Sequence, residues 1–218
     1  MATPLTPAPY RALLETHLRR NPHAGYVQLA TVEDGRPRVR TVLFQGLCIL
    51  YMNQQEHLGL CIKTSRASNK VQRAESDLTE ICWWMEDTMV QFRFSGPIDY
   101  SDGPDRQRVW RSLGRAAQDQ FFFPTDQGLD DRPPPGGSLF AQQAARAAAD
   151  QEEGLGGPPE SFVVGRLFPD EVDFLDLSTC MRHRWNLQTN DDGTVQWMET
   201  KGYAPPVVST TKGPKHGR

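Results

Sequence analysis

Residues 25–43 read GYVQLATVEDGRPRVRTVL, two runs rich in Val, Thr, Leu and Tyr with Asp34-Gly35 between them. β-Branched and aromatic side chains suit a pleated strand, and Asp-Gly supplies the positive φ that a tight hairpin turn demands. The stretch is therefore expected to fold as a hairpin of Gly25–Glu33 against Arg36–Leu43. Side chains alternate across a strand. Val39, Thr41 and Leu43 should face one way, and Arg38, Arg40, Val42 and Phe44 the other.

The neighbouring segments extend this pattern. Leu13, Leu14 and Leu18 recur at helical spacing in Tyr10–Arg20, and Pro22 stops that helix. Cys48–Met52 and Leu58–Ile62 are short strands, and Ser65–Glu75 has the Ser, Ala and polar content of a short helix. Leu78–Met85 and Met89–Phe94 form a second hairpin across Glu86-Asp87, ending at Gly96-Pro97. Asp105–Leu113, Arg115–Phe122 and the Ala-rich Ser138–Glu153 favour helix. Pro133–Gly137 and Gly154–Pro159 break regular structure. Strand composition returns in Phe162–Phe168, Val172–Leu177, Arg182–Gln188 and Val195–Thr200, the last two joined by a turn at Asn190–Gly193.

One helix, about six strands, helices and about four more strands predict a mainly β (α+β) antiparallel barrel with peripheral helices. The expected organisation is a flexible start (1–9), one domain (10–206) with a helical and Pro-rich excursion at about 103–160, and a disordered tail (207–218).

The chain has 218 residues and a formal charge of -3, which gives no electrostatic footprint for nucleic acid or an anionic membrane. No apolar run approaches the ~20 residues of a membrane span, and Met1–Pro9 lacks the pattern of a secretory signal. The four cysteines, Cys48, Cys61, Cys82 and Cys180, show no close pairing in sequence, and three lie in apolar runs. Zinc ligands usually come in close pairs, so no metal is expected. Buried thiols in a reducing, cytoplasmic setting are the reading preferred.

Four constellations could carry chemistry. Lys63-Thr64-Ser65-Arg66-Ala67-Ser68-Asn69-Lys70 follows a strand and opens the expected helix. Its hydroxyls, cations and unpaired helix N–H groups suit a monophosphate, although a capped, solvated helix start has the same composition. Arg40 sits in a strand of apolar and Thr residues, where it could reach a phosphate or simply face water. Gln91 alternates with aromatics in QFRF and could hydrogen-bond a planar heterocycle or be an exposed strand residue. Arg182 and Arg184 share one strand face, His183 and Trp185 the other. Two like charges so close need an anion, which Asp173 or Asp176 could supply. No GxSxG, HExxH, GxGxxG or GxxxxGKS motif occurs.

In order and spacing these segments resemble the FMN-binding split-barrel family of pyridoxamine 5′-phosphate oxidase-like proteins, specifically the branch with a Pro-rich segment before the final strands. The matching positions are Arg40-Thr41-Val42-Leu43, then Thr64, Ser68 and Lys70, then Gln91, Arg93 and Gly96, then Arg182, Arg184 and Trp185. The resemblance implies an FMN-dependent oxidoreductase built as a homodimer, with FMN at the subunit interface and a small-molecule substrate. Arg40, Ser68 and Lys70 would hold the 5′-phosphate, with Lys63 and Asn69 in the same loop. Thr41, Val42, Leu43 and Thr64 would line the flavin ring, and Gln91 and Arg184 would bond its edge. No catalytic side chain is implied, because flavin carries the chemistry.

The chain departs from that family where the vitamin substrate would bind. Gln45 stands where a lysine is usual, and Val109, Leu113 and Ala117 replace a polar cluster. Arg111, Arg115 and Arg182 are candidate substitutes for the lost substrate-phosphate contacts. A non-catalytic FMN- or haem-binding module is the competing reading.

Overall fold

Asp34 and Gly35 take φ of 52° and 71°, closing a two-residue hairpin between β1 (Tyr26–Glu33) and β2 (Arg36–Met52). Its register pairs Glu33 with Arg36 and runs unbroken to Tyr26 opposite Leu43. The computed structural model describes residues 7–52, 55–100, 102–122, 157–191 and 193–203. The expected helix at Ser138–Glu153 and the tail lie outside these residues. Of the expected loose start, Ala8 is 3% exposed and packs in the core.

β2 does not end where the sequence suggested. Gly46, at φ 105°, lies within the bulge between Phe44 and Leu47, and beyond it the same strand pairs with β3 (Gln55–Ser65). A bulge bends a strand without ending it, so Cys48–Met52 is the second half of β2. The helix expected at Ser65–Glu75 is also corrected. Only α2 (Asn69–Gln72) is helical, and from Ala74 the chain is already β4 (Ala74–Met85). Pairing with β1 overrides the weak helical preference of that stretch.

β5 (Val90–Ser95) pairs with β4 and continues through Gly96-Pro97 into the two-residue β6 (Ile98–Asp99), which the sequence did not signal. After α1 (Arg11–Arg20), α3 (Pro104–Ser112) and α4 (Arg115–Asp119) come β7 (Phe162–Leu167), β8 (Glu171–Asp176), β9 (Met181–Thr189) and β10 (Val195–Tyr203). All strand pairings are antiparallel, in the order β10-β9-β8-β5-β4-β1-β2-β3-β7-β6.

The β5–β6 and β7–β8 corners meet. Phe168 N donates to Pro97 O (3.1 Å) and Asp170 N to Ser95 O (2.9 Å). A Cβ on Gly96 would lie 2.6 Å from the Phe168 carbonyl oxygen, so the corner needs glycine.

The sheet folds around a core that includes Leu29, Leu60, Ile62, Trp83, Phe92, Phe94 and Trp185. Tyr10 at the start of α1 is buried there and donates to Leu58 O at 2.9 Å. A second core lies on the other side of β2, β3 and β7, where Cys48, Cys61, Phe162 and Val164 meet Val109 and Trp110 of α3.

Candidate functional site

Strand alternation brings one polar group together at an end of the core face. Arg40 lies opposite Leu29, on the face it shares with Val42 and Phe44, as the alternation predicted. Its Nη1 donates to Thr31 Oγ1 (2.6 Å) and to the carbonyls of Leu29 and Arg38 (both 3.3 Å), and its Nη2 pairs with Glu33 Oε1. Lys70 Nζ donates to Thr64 Oγ1 (2.8 Å) and to Ser68 Oγ. Burial lowers the Lys70 pKa and nearby Arg40 lowers it further, while Glu33 opposes both. Tyr100 joins the same field. Burial raises its pKa, Arg40 lowers it and Glu33 raises it, and its buried hydroxyl has no hydrogen-bond partner among the described residues.

This grip is built from side chains. A single turn of helix at 69–72 gives no helix terminus of consequence, contrary to the expectation for that loop. Lys63 lies on the opposite face of β3, 5.7 Å over the Phe121 ring. Arg66 bonds Asp102 (3.1 Å) and Glu160 O (3.1 Å). Asn69 is exposed and lines a cleft of about 450 Å³ with Glu33, Asp34, Arg36, Arg38 and Arg73.

The outer face of the sheet carries a second group. Direct pairings run Thr41–Gln28–Cys82–Arg93–Asp173–Arg184 across six strands. Gln91 lies one row along, opposite Trp84 and Leu175. Arg93 makes two 2.8 Å bonds to Glu80. Asp173 accepts from Arg182 Nε at 2.8 Å and lies 3.5 Å from Arg184 Nε and 4.0 Å from Arg93 Nη1. Burial would raise the Asp173 pKa, but the hydrogen bonds and charge of Arg182, then Arg184 and Arg93, hold it below the usual carboxylate range. Asp173 therefore fills the anion role that the two arginines required. Asp176 instead accepts from the backbone N–H groups of Ser178 (2.8 Å) and Thr179 (3.3 Å). His183 and Trp185 face the other way, with His183 against Phe174.

The residues singled out in the sequence thus divide. Arg40, Thr64, Ser68 and Lys70 converge on the core side, with Val42. Thr41, Leu43, Gln91, Arg182 and Arg184 lie on the opposite side. Arg111 and Arg115 are exposed on α3 and α4, and α3 packs outside β2, β3 and β7, whereas Arg182 lies on β9. Val109 is fully buried and Leu113 packs beside it, which explains why no polar group stands there.

Thr31, Glu33 and Tyr100 escaped the sequence reading. The hairpin register held the signal for two of them, because it puts Thr31 and Glu33 in phase with Arg36, Arg38 and Arg40. Also missed was an outer cleft of about 430 Å³ that includes Tyr26, Gln28 and Trp84.

Cys48 and Cys61, distant in sequence, meet through β2–β3 pairing, and their sulfurs lie with an Asp105 oxygen within 4.8 Å of one another. Arg108 already serves this group, donating to Asp105 (2.6 Å) and approaching Cys61 Sγ (3.7 Å).

Residues 7–102 match the family model described as pyridoxamine 5′-phosphate oxidase, FMN-binding domain. Over those residues the chain is similar to this FMN-binding domain. The cofactor that the matched domain binds is FMN. The chain is 28% identical over 207 residues to an Arabidopsis thaliana protein named pyridoxine/pyridoxamine 5′-phosphate oxidase 2, covering 89% of this chain and 96% of that one. Among solved structures it is similar to an FMN-binding, pyridoxamine 5′-phosphate oxidase-related protein from Nostoc punctiforme, at 28% identity and a TM-score of 0.62, covering 88% and 97% of the two chains. PhzG from Burkholderia lata, solved with tetrahydrophenazine-1-carboxylic acid, shares the fold at 19% identity, a TM-score of 0.61 and 89% coverage of both chains. The antiparallel split barrel anticipated for this family is the observed fold.

Proposed function

We propose that the chain is an FMN-dependent oxidoreductase, working as a homodimer on a small-molecule substrate. In this reading the FMN 5′-phosphate is held by Lys70, Arg40, Ser68 and Thr64. The observation that carries it is Lys70, half-buried and, among the described residues, with only hydroxyls as hydrogen-bond partners, beside Arg40 and a Tyr100 hydroxyl that has no partner among them. A buried cation facing hydroxyls and an idle donor is an arrangement that an oxyanion completes. The residues present therefore fit the phosphate.

Bound FMN would supply two-electron chemistry between substrate and oxygen or another acceptor, so no side-chain nucleophile is required. Gln91 would offer a neutral hydrogen bond to the ring edge, and Arg184 a permanent positive charge beside it. Both lie across the sheet from the grip, which supports their delivery from the second protomer. Four free cysteines and the absence, among the described residues, of any helix long and apolar enough to cross a membrane are compatible with the cytoplasm.

The named Arabidopsis relative makes pyridoxamine or pyridoxine 5′-phosphate the first substrate to test. The FMN-loaded protein would be mixed with pyridoxamine 5′-phosphate without oxygen. Bleaching of the flavin absorption is the expected result. A flavin spectrum that stays unbleached would exclude that substrate and favour a non-catalytic FMN module. A Soret band in the purified protein would point to haem instead.

A further inference from the structure

We propose that Glu33 is a built-in competitor of the FMN phosphate, an internal carboxylate that fills the grip until phosphate displaces it. The proposal rests on the grip assigned above and names the group that sets its affinity. Glu33 is 7% exposed, and its Oε1 both pairs with Arg40 Nη2 and accepts from Thr31 Oγ1 at 3.0 Å. Its charge is also felt at Lys70. One carboxylate thus pairs with one of the two cations that a phosphate dianion would need and acts through its charge on the other. An anion that binds here meets like charge at close range unless Glu33 moves.

A second role is conceivable for the same residue, that of positioning Arg40. The contacts argue against it. Arg40 is already held by Thr31 Oγ1 and by the carbonyls of Leu29 and Arg38, so its placement does not depend on Glu33. Glu33 also has somewhere to go. It lines the 450 Å³ cleft with Arg36, Arg38 and Arg73, and Arg36 is its cross-strand partner at the hairpin end. A displaced carboxylate can therefore be neutralised again a short distance from its first place. FMN uptake then becomes an exchange of one anion for another.

The test is a flavin-fluorescence titration of full-length apoprotein with FMN and with riboflavin, which has the same ring system and no phosphate. Glu33→Gln keeps the side chain's shape and removes its charge. It should tighten FMN about tenfold or more while leaving riboflavin unchanged, because one close like-charge pair disappears. Glu33→Met, of similar volume, is the second variant and should act the same way. FMN affinity that is unchanged or weaker in both would overturn the proposal, as would equal tightening of riboflavin. Lys70→Ala, run alongside, separates this failure from failure of the grip itself. If Lys70→Ala weakens FMN alone and Glu33→Gln brings no gain, the grip stands and the competitor falls. If Lys70→Ala moves neither ligand or both alike, the grip is wrong as well.

Discussion

Arg40, Lys70 and Glu33 on the core side, and Arg93, Arg182, Arg184, Glu80 and Asp173 on the outer side, each hold one more cation than carboxylate. Net charge therefore does not distinguish the two places. Pairing does. On the outer face every arginine reaches a carboxylate, and Asp173 is shared among three of them. On the core side, among the described residues, Lys70 has only hydroxyls as hydrogen-bond partners, Tyr100 has none, and the carboxylate that pairs with Arg40 is borrowed from the hairpin end. One cluster is complete as it stands. The other is finished by something from outside.

The largest expected effect breaks the complete cluster. Asp173→Ala should cost about 2–3 kcal/mol of stability, read by urea denaturation, somewhat below the usual loss for a fully buried pair because its arginines are part-exposed. The preference for FMN over riboflavin should survive, since that face does not hold the phosphate. Next comes the incomplete cluster. Lys70→Ala should weaken FMN by about tenfold or more, corresponding to ~1.5–3 kcal/mol for a charge-assisted contact, with little loss of apoprotein stability. Smaller again is Tyr100→Phe. Removing an unpartnered buried hydroxyl should raise apoprotein stability by about 1 kcal/mol and weaken FMN several-fold.

The smallest effect is in the pH profile of the apoprotein. The folded-state pKa of Lys70 is lowered, so at pH between that value and the unfolded value of about 10.4 the unfolded chain binds more protons. Stability contributed at this position should therefore rise with pH across that window. Lys70→Met should flatten the rise, and thermal melts of both proteins from pH 8 to 10 would show it. Identical profiles would mean that Lys70 is not strained in the empty grip.

Much of this was legible in the residues. Asp34-Gly35 and the alternation around it gave the first hairpin and the facing of Arg40, and Arg182-His183-Arg184-Trp185 divided between faces as alternation required. Local signals failed where pairing with a distant strand decided the outcome. Gly46 marked a bulge inside β2 and not its end. The Ser, Ala and Asn of 65–75 suggested a helix, yet β1 claims Ala74 opposite Glu33. Cys48 and Cys61 looked unrelated until β2 and β3 aligned them. Glu33 was read as the last residue of a strand, because its importance depends on a register that places it facing Arg40.

The most direct test of the central claim is the ratio of FMN to riboflavin affinity in the wild type and in the Arg40→Ala/Lys70→Ala double variant. If these residues hold the phosphate, the wild type strongly prefers FMN and the double variant binds both ligands about equally. A preference for FMN that persists in the double variant would contradict the account.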